Sequence, residues 1–431
     1  MKIRLISIAA VVILGLIAAV TVISGYAQIE REYNACLAKA RAHAEKQVPY
    51  NAYNQYKAAF KIRCDDEQVY KEFLVQAELL GGTYYASAVE AYVEHFPESA
   101  NAYELLCQLQ YTRGSYKEVI TLALQAREKG LATEKVREMY LECSNMLVTI
   151  KAGLDEAQSF LGGYARVKED GLYGYITAGG KYLLAPSYTD ATAMMGSNAA
   201  VFENDEWHMI NSTGHTVARA NKAVDSMGFL SGGKICISAG GKYGYMTSAM
   251  VVPETLPYDY ASTFRSGVAA VKVGDQWALI NTNEEKITDF IFEDILLDEF
   301  DSCYAGGAIF VKKDGKYYMV NAEGKKISEQ GFDDAQPFVG KQPAAVCVDG
   351  KWGFVDTAGN WVIEPQYEAA KSFSLSLGAV CIDGLWGYVN TSGEIRVPCQ
   401  FTDCMPFASN GIAAVKDGNA WKYVQLLAYE V

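Results

Sequence analysis

Apolar and polar positions fall into three successive patterns along the chain. The first is an uncharged run of nineteen residues from Leu5 to Ile23, preceded by Lys2 and Arg4. As a helix rising 1.5 Å per residue it spans about 28 Å, close to a bilayer core of roughly 30 Å. The run predicts a transmembrane anchor over residues 1–28. The positive tail orients a single-pass protein with its N-terminus cytoplasmic and its bulk extracytoplasmic. Arg31, Lys39 and Arg41 weaken that bias, so a cytoplasmic bulk is one alternative. Secretion after cleavage near Ala27, at Gly25-Tyr26-Ala27, is another.

The second pattern, over residues 29–150, repeats its apolar positions every three or four residues and has few β-branched runs. It predicts helices over 29–47, 50–63, 66–80, 83–95, 100–113, 115–129 and 133–149. Breaks fall at Pro49, Gly81-Gly82, Pro97, Gly114 and Gly130. Short, evenly spaced helices with short connections have the rhythm of a helical-hairpin solenoid. Within it, Ala102–Gly130 resembles a tetratricopeptide repeat. Leu105, Leu106 and Tyr111 would pack the first helix, Gly114 would make the turn, and Val119, Leu122 and Ala126 would face back. That resemblance implies peptide or partner-protein binding in a groove; a helical stalk is the plain alternative.

The third pattern, over residues 160–431, alternates with a period of two and recurs. Eight aromatic residues mark it: Tyr173, Trp207, Tyr243, Trp277, Tyr317, Trp352, Trp386 and Trp421, at intervals of 34, 36, 34, 40, 35, 34 and 35. Six residues before each stands a β-branched residue, from Val167 and Val201 to Val380 and Val415. Between them lies a two-residue turn able to take positive φ angles. Examples are Asp170-Gly171, Gly240-Gly241, Asp314-Gly315, Asp349-Gly350 and Asp383-Gly384. Fifteen residues after the marker an aromatic recurs as Tyr188, Tyr258, Phe292, Phe332, Tyr367 and Phe401, while Lys222 breaks the rule in the second unit. Each unit therefore holds three or four short strands.

The segments GKWGFVDTAGNWVIEPQYEAAKSF and GLWGYVNTSGEIRVPCQF, at 350–373 and 384–401, resemble the WG-repeat family of bacterial proteins. The pair is intact at Trp352-Gly353 and Trp386-Gly387 and is Tyr-Gly at Tyr173-Gly174 and Tyr243-Gly244. It is lost at Trp207-His208, Trp277-Ala278, Tyr317-Tyr318 and Trp421-Lys422. The resemblance implies β structure and a binding or scaffold role, with no catalytic residues to carry over. The expected fold is multidomain: a transmembrane helix, a tetratricopeptide-like helical segment, then an all-β repeat domain. Eight units favour a β-propeller, with an open β-solenoid as the alternative.

Charge and chemistry narrow the function. The net charge is −13, most of it after residue 150. That argues against nucleic acid as a partner and leaves the membrane contact to the N-terminal helix. Ten cysteines show no paired spacing. Cys347 and Cys381 occupy a repeat position held elsewhere by Lys168, Lys272, Lys312 and Lys416; Cys399 and Cys404 are close enough to pair. His43, His95, His208 and His215 are too scattered for a metal site. Asp289–Asp301 is the most acidic stretch and sits in the unit with the 40-residue interval. It reads as a solvated loop, with a cation or basic-partner contact as the functional alternative. No phosphate loop, nucleophile elbow or dinucleotide fingerprint occurs. The expectation is a membrane-anchored extracytoplasmic binding or scaffold protein with no cofactor, engaging a protein or envelope glycan. A propeller-type glycan hydrolase and a purely structural spacer are the alternatives.

Overall fold

The structure, a computed structural model, describes the backbone of residues 2–427 and the side chains of residues 24–427. The chain divides into two compact units, Met1–Ser144 and Asn145–Val431.

Among the described residues the first unit holds seven helices: α1 (Lys2–Glu45), α2 (Pro49–Phe60), α3 (Glu67–Leu80), α4 (Gly82–His95), α5 (Ala100–Thr112), α6 (Tyr116–Glu128) and α7 (Glu134–Ser144). Each packs on the next in sequence, as short connections dictate. Asp66 caps α3 by accepting from the Gln68 amide at 2.9 Å, and Ser99 caps α5 through Ala102. The core is aromatic: Tyr53 stacks on Phe73 at 4.8 Å and Tyr70 on Tyr92 at 5.0 Å. Glu67 binds α4 and the α5 cap to α3, accepting from Tyr92 Oη at 2.7 Å and from Ser99 Oγ. In α5 and α6, Leu106, Val119, Leu122 and Ala126 are buried, and Gly114 turns the chain with φ 73°.

The membrane-spanning expectation, and the single-pass topology built on it, are corrected. Among the described residues no helix is long and apolar enough to cross a membrane. Leu5–Ile23 is the N-terminal part of the continuous helix α1, and its side chains lie outside the described residues. The described part of α1 carries Glu30, Arg31, Glu32, Lys39 and Arg41, and buries Tyr33, Leu37 and Ala40 against its own unit.

The second unit is an eight-bladed β-propeller. Its eight antiparallel sheets follow one another in sequence order. Blade 1 shows the plan: a two-residue innermost strand (Glu156–Ala157), two strands of a hairpin (Tyr164–Glu169 and Leu172–Thr177) and an outer strand (Tyr182–Tyr188). Because the innermost strand is so short, four strands fit into a 35-residue period. Blades 3, 4 and 5 have no regular outer strand and keep isolated bridges there, such as Tyr243 to Tyr258, Trp277 to Phe292 and Tyr317 to Phe332. The β-branched positions from Val167 to Val415 are all buried in the blade cores.

The local chemistry explains the repeat. Both residues of the Asp170-Gly171, Asn204-Asp205, Gly240-Gly241, Asp314-Gly315, Asp349-Gly350 and Asp383-Gly384 turns have positive φ, as a type I′ hairpin needs. The acid beside the fifteenth-position aromatic then caps a turn. Asp259 Oδ2 accepts from the Gly274 amide at 2.7 Å, Asp333 Oδ2 from Asp349 at 2.8 Å, and Glu368 from Gly384 at 3.1 Å. The next turn is built by Asn211, Asn281, Asn321, Asp356 and Asn390. Each side-chain oxygen accepts from the amides two and four residues on, at 2.9–3.1 Å.

The glycine after the marker has a steric cause. The register slips between Trp352 and Phe354, and again between Trp386 and Tyr388, so the outer strand crosses closely over the glycine. A Cβ on Gly387 would lie 2.5 Å from Val397 O, and one on Gly353 2.6 Å from Ile363 O. His208, Ala278, Tyr318 and Lys422 stand where the outer strand is short, absent or supplied from elsewhere in the chain.

That last case closes the ring. Blade 8 takes its outer strand from Leu147–Leu154, which pairs antiparallel with Ala420–Leu426: Leu147 with Leu426, Thr149 with Val424 and Leu154 with Trp421. The periodicity had extended a helix to residue 149. The β-branched Val148-Thr149-Ile150 run instead follows the partner waiting at the far end of the chain, so tertiary pairing overrides local preference. Hydroxyls then staple blade to blade. Tyr175 donates to Thr192 O at 2.8 Å, Tyr245 to Ser262 O at 2.7 Å, Tyr388 to Met405 O at 2.8 Å, and Tyr423 to Gln158 O at 2.6 Å across the closure.

Two outcomes follow from this packing. In urea denaturation read by tryptophan fluorescence, Gly387→Ala should cost about 2–3 kcal/mol and the exposed-turn variant Gly384→Ala about 1 kcal/mol. Equal losses would refute the crossing-strand account of the Trp-Gly pair. Tyr423→Phe should cost roughly 1 kcal/mol, the value of a buried hydrogen bond; an unchanged midpoint would show that the hydroxyl does not help close the ring.

Candidate functional site

The centre of the propeller holds the candidate site, and an insertion in blade 5 builds it. Thirteen residues lie between Ile295 and Ile309, the innermost and second strands of that blade, against six between Ala261 and Val268 in blade 4. This segment carries Asp298, Glu299 and Asp301 of the Asp289–Asp301 run; instead of standing free as a solvated loop it folds into the ring, with Glu299 exposed to the axial space and Asp298 and Asp301 half-buried. The segment crosses the axis and is held by blades 1 and 4. Gln158 Nε2 donates to Glu299 O at 2.8 Å, and the Ser159 amide to Glu299 Oε2 at 2.9 Å. Arg265 pairs with Asp298 at 2.9 Å, Tyr260 Oη donates to Asp301, and the Thr263 amide donates to Asp301 O at 2.7 Å. Asp298 Oδ1 also accepts from the Phe300 and Ser302 amides, at 2.9 and 3.0 Å, tying the segment into a turn.

The plug divides the axis into cavities. One of about 400 Å³ is framed by residues of blades 1, 4, 6, 7 and 8 and by the inserted segment itself, including Phe160, Arg265, Phe300, Val339 and Lys371. A second, of about 320 Å³, is lined by Trp207, Tyr243, Tyr260 and Asp301, and a third, of about 220 Å³, by Tyr173, Arg166 and Trp421. Glu299 reaches all three. Burial raises the carboxyls of Asp298, Glu299 and Asp301 above the ordinary range, Asp301 to about 6. For Asp301 the hydrogen bond from Tyr260 opposes the shift without cancelling it.

The eight marker aromatics do not converge on one site. Trp207 and Tyr243 line the second cavity, Tyr173 and Trp421 the third, and Tyr317 is buried in its blade. The tight-turn glycines Gly171, Gly241, Gly315, Gly350 and Gly384 are exposed at hairpin tips with φ between 74° and 78°. The register sets Cys347 opposite Trp352 and Cys381 opposite Trp386, where other blades set Lys272 opposite Trp277 and Lys416 opposite Trp421. All ten cysteines are free thiols, including Cys399 and Cys404, and burial pushes Cys404 up to about 12. A thiolate nucleophile has no support there. Among the described residues no group of three or more His, Cys, Asp and Glu side chains is placed to hold a metal ion. His208 is buried in blade 2, its Nε2 4.0 Å from Glu203.

Sequence reasoning missed the plug and Gln158. The available signal was the interval of 40 among intervals near 35, since extra residues in a repeat array fall in loops on one face.

Five stretches, residues 148–173, 258–277, 277–317, 352–386 and 386–421, match the WG containing repeat, so the chain carries WG repeats. A comparison with curated proteins finds no match. Among solved structures the chain is similar to a eukaryotic initiation factor, at 10% identity and TM-score 0.40 over 64% of this chain and 86% of that one. It is similar to Hsv2 of Kluyvelomyces marxianus, at 10% identity and TM-score 0.37 over 61% and 89%. It is also similar to the dihydro-heme d1 dehydrogenase NirN, at 10% identity and TM-score 0.41 over 70% and 82%. Likenesses of this order say nothing about activity.

The raised Asp301 carboxyl has a consequence for stability. The folded state holds that proton to about pH 6, whereas the unfolded chain releases it near its ordinary value of 3.8. This group's contribution is therefore full below about pH 4 and is lost as pH rises through about 6. Thermal melts of Asp301→Asn should gain on the parent between pH 4 and pH 7. Parallel curves would place Asp301 in water.

Proposed function

We propose that this chain is a non-catalytic binding protein whose propeller engages a protein or glycan segment at the loop face surrounding the 400 Å³ cavity. The observation that supports this most is the plug: five blades and the inserted segment converge on one concave, mixed polar and aromatic cavity, the usual form of a recognition site. The helical unit, with its tetratricopeptide-like stretch at 102–130, would supply a second surface for a partner or act as a spacer.

A glycan hydrolase would need two available carboxylates facing each other across a cleft. Near Glu299 the other two acids are engaged, Asp298 by Arg265 and Asp301 by Tyr260. That arrangement supports binding over hydrolysis.

The test is a screen of the immobilised full chain against peptide and glycan panels, followed by two surface variants. Val339, 37% exposed, lines the cavity, whereas Ile395, 54% exposed, lies on the outer strand of blade 7. Val339→Glu should weaken a hit about tenfold or more, the usual effect of placing a charge in a binding cavity, and Ile395→Glu should leave it unchanged. A screen without saturable binders, or hits equally sensitive to both variants, would sink the proposal.

A further inference from the structure

The plug leaves one carboxylate without a cationic partner, and one acceptor unmatched, at the centre of the ring. The other charged groups of the main cavity are matched: Arg265 with Asp298 at 2.9 Å and Lys371 with Asp403 at 2.7 Å. Arg166, in the neighbouring cavities, donates to Ala191 O and lies 4.9 Å over the Tyr173 ring. Glu299 receives the Ser159 amide on Oε2, with the Ser159 hydroxyl nearby but poorly aligned, and its carboxylate still presents surface to all three cavities.

The second observation is independent of that charge. Gln158 is nine-tenths buried and lines two of the same cavities beside Glu299. Its Nε2 is committed to Glu299 O, while its Oε1 has no hydrogen-bond partner. Turning the amide over would set oxygen against a carbonyl oxygen, so the orientation is fixed by its neighbour. A buried acceptor without a donor costs about 1–3 kcal/mol, which a ligand that donates would recover. The unmet chemistry is thus an acceptor and an anion together. It calls for a group that is positively charged and carries several N–H donors.

We propose that the propeller axis is a binding site for a primary ammonium group, held by Glu299 with Gln158 Oε1 as second acceptor. The aromatic rings of Trp207, Tyr260 and Phe300 line the second cavity, which Glu299 and Gln158 share, and suit the alkyl stem of such a ligand. Its 320 Å³ fits a short aliphatic amine or a lysine side chain. The inference rests on the reading of the propeller centre as a recognition site, since Glu299 joins this cavity to the main one, and names what it recognises.

The experiment is titration calorimetry of the full chain with four probes: 1,5-diaminopentane, Nα-acetyl-lysine amide, pentane-1,5-diol and glutarate. Saturable binding of the diamine or the lysine derivative is expected, with the diol and glutarate silent. Binding of the diamine alone assigns a free amine, and binding of the lysine derivative assigns a lysine side chain. Glu299→Gln keeps an acceptor for the Ser159 amide, and Gln158→Leu removes the unmatched one. With melting temperatures checked, each should weaken binding by about tenfold or more, the usual loss for a charge-assisted hydrogen bond. Amines that give no saturable heat, diol or glutarate that binds as well as amine, or unchanged affinity in Glu299→Gln would each overturn the ammonium assignment. Panel ligands that remain sensitive to Val339→Glu in that event would leave the recognition face standing.

Discussion

A ring of β-blades has no free edge only if its last blade is completed from the other end of the chain. Here that completion is the pairing of Leu147–Leu154 with Ala420–Leu426. It removes two strand edges at once and brings Gln158, ten residues after Val148, beside Tyr423. The rest of the propeller depends on it. Blade stapling by tyrosine hydroxyls runs from a blade to its successor, and the Tyr423 bond makes that relation circular. The closing strand also ends just before the residues that hold the plug.

Within a blade the dominant constraint is steric. A short innermost strand and a bulged outer strand let four strands occupy about 35 residues, but the bulge brings the outer backbone onto the third strand. Only glycine leaves room for it, and so the Trp-Gly pair persists where the outer strand is fully formed. Where blades 4 and 5 give up a regular outer strand, Ala278 and Tyr318 take the glycine's place, whereas blade 3 lacks that strand and still keeps Gly244, against which the Leu256 side chain packs. Polar turn residues do the remaining work: carboxylates cap the hairpin tips, and Asn or Asp closes the next turn. The acidity of the repeat region is thus partly structural, because many acids accept backbone amides and so need their charge where they stand.

The exception to the repeat is where the chemistry lies. Six of the seven intervals keep the period within one residue of 35, and the exception carries the insertion. The inserted segment turns carboxylates inward, where burial raises all three, and matches two of them with Arg265 and Tyr260. A regular propeller axis is a wide channel. This one is partitioned into cavities of ligand size, with an anion and an unpaired acceptor at the point where they meet.

The eightfold period, the hairpin turns, the buried β-branched positions and all seven helices, the last of them overrun by five residues, were legible in the sequence, because each rests on local periodicity and on backbone angles that Gly, Asn and Asp favour. The pairing rule at fifteen residues was legible too, since Tyr173 to Tyr188 or Trp386 to Phe401 is a contact within one unit. The closing strand was not. Residues 147–149 continue a helical rhythm locally, and only a partner 270 or more residues away makes them a strand. The membrane reading of Leu5–Ile23 rested on length and apolarity alone, which the described helices do not meet. The fate of the acidic run was equally a tertiary decision. In one dimension a carboxylate-rich insertion is a solvated loop; closing the ring surrounds it, and desolvation then gives Asp298, Glu299 and Asp301 properties that no spacing of residues encodes.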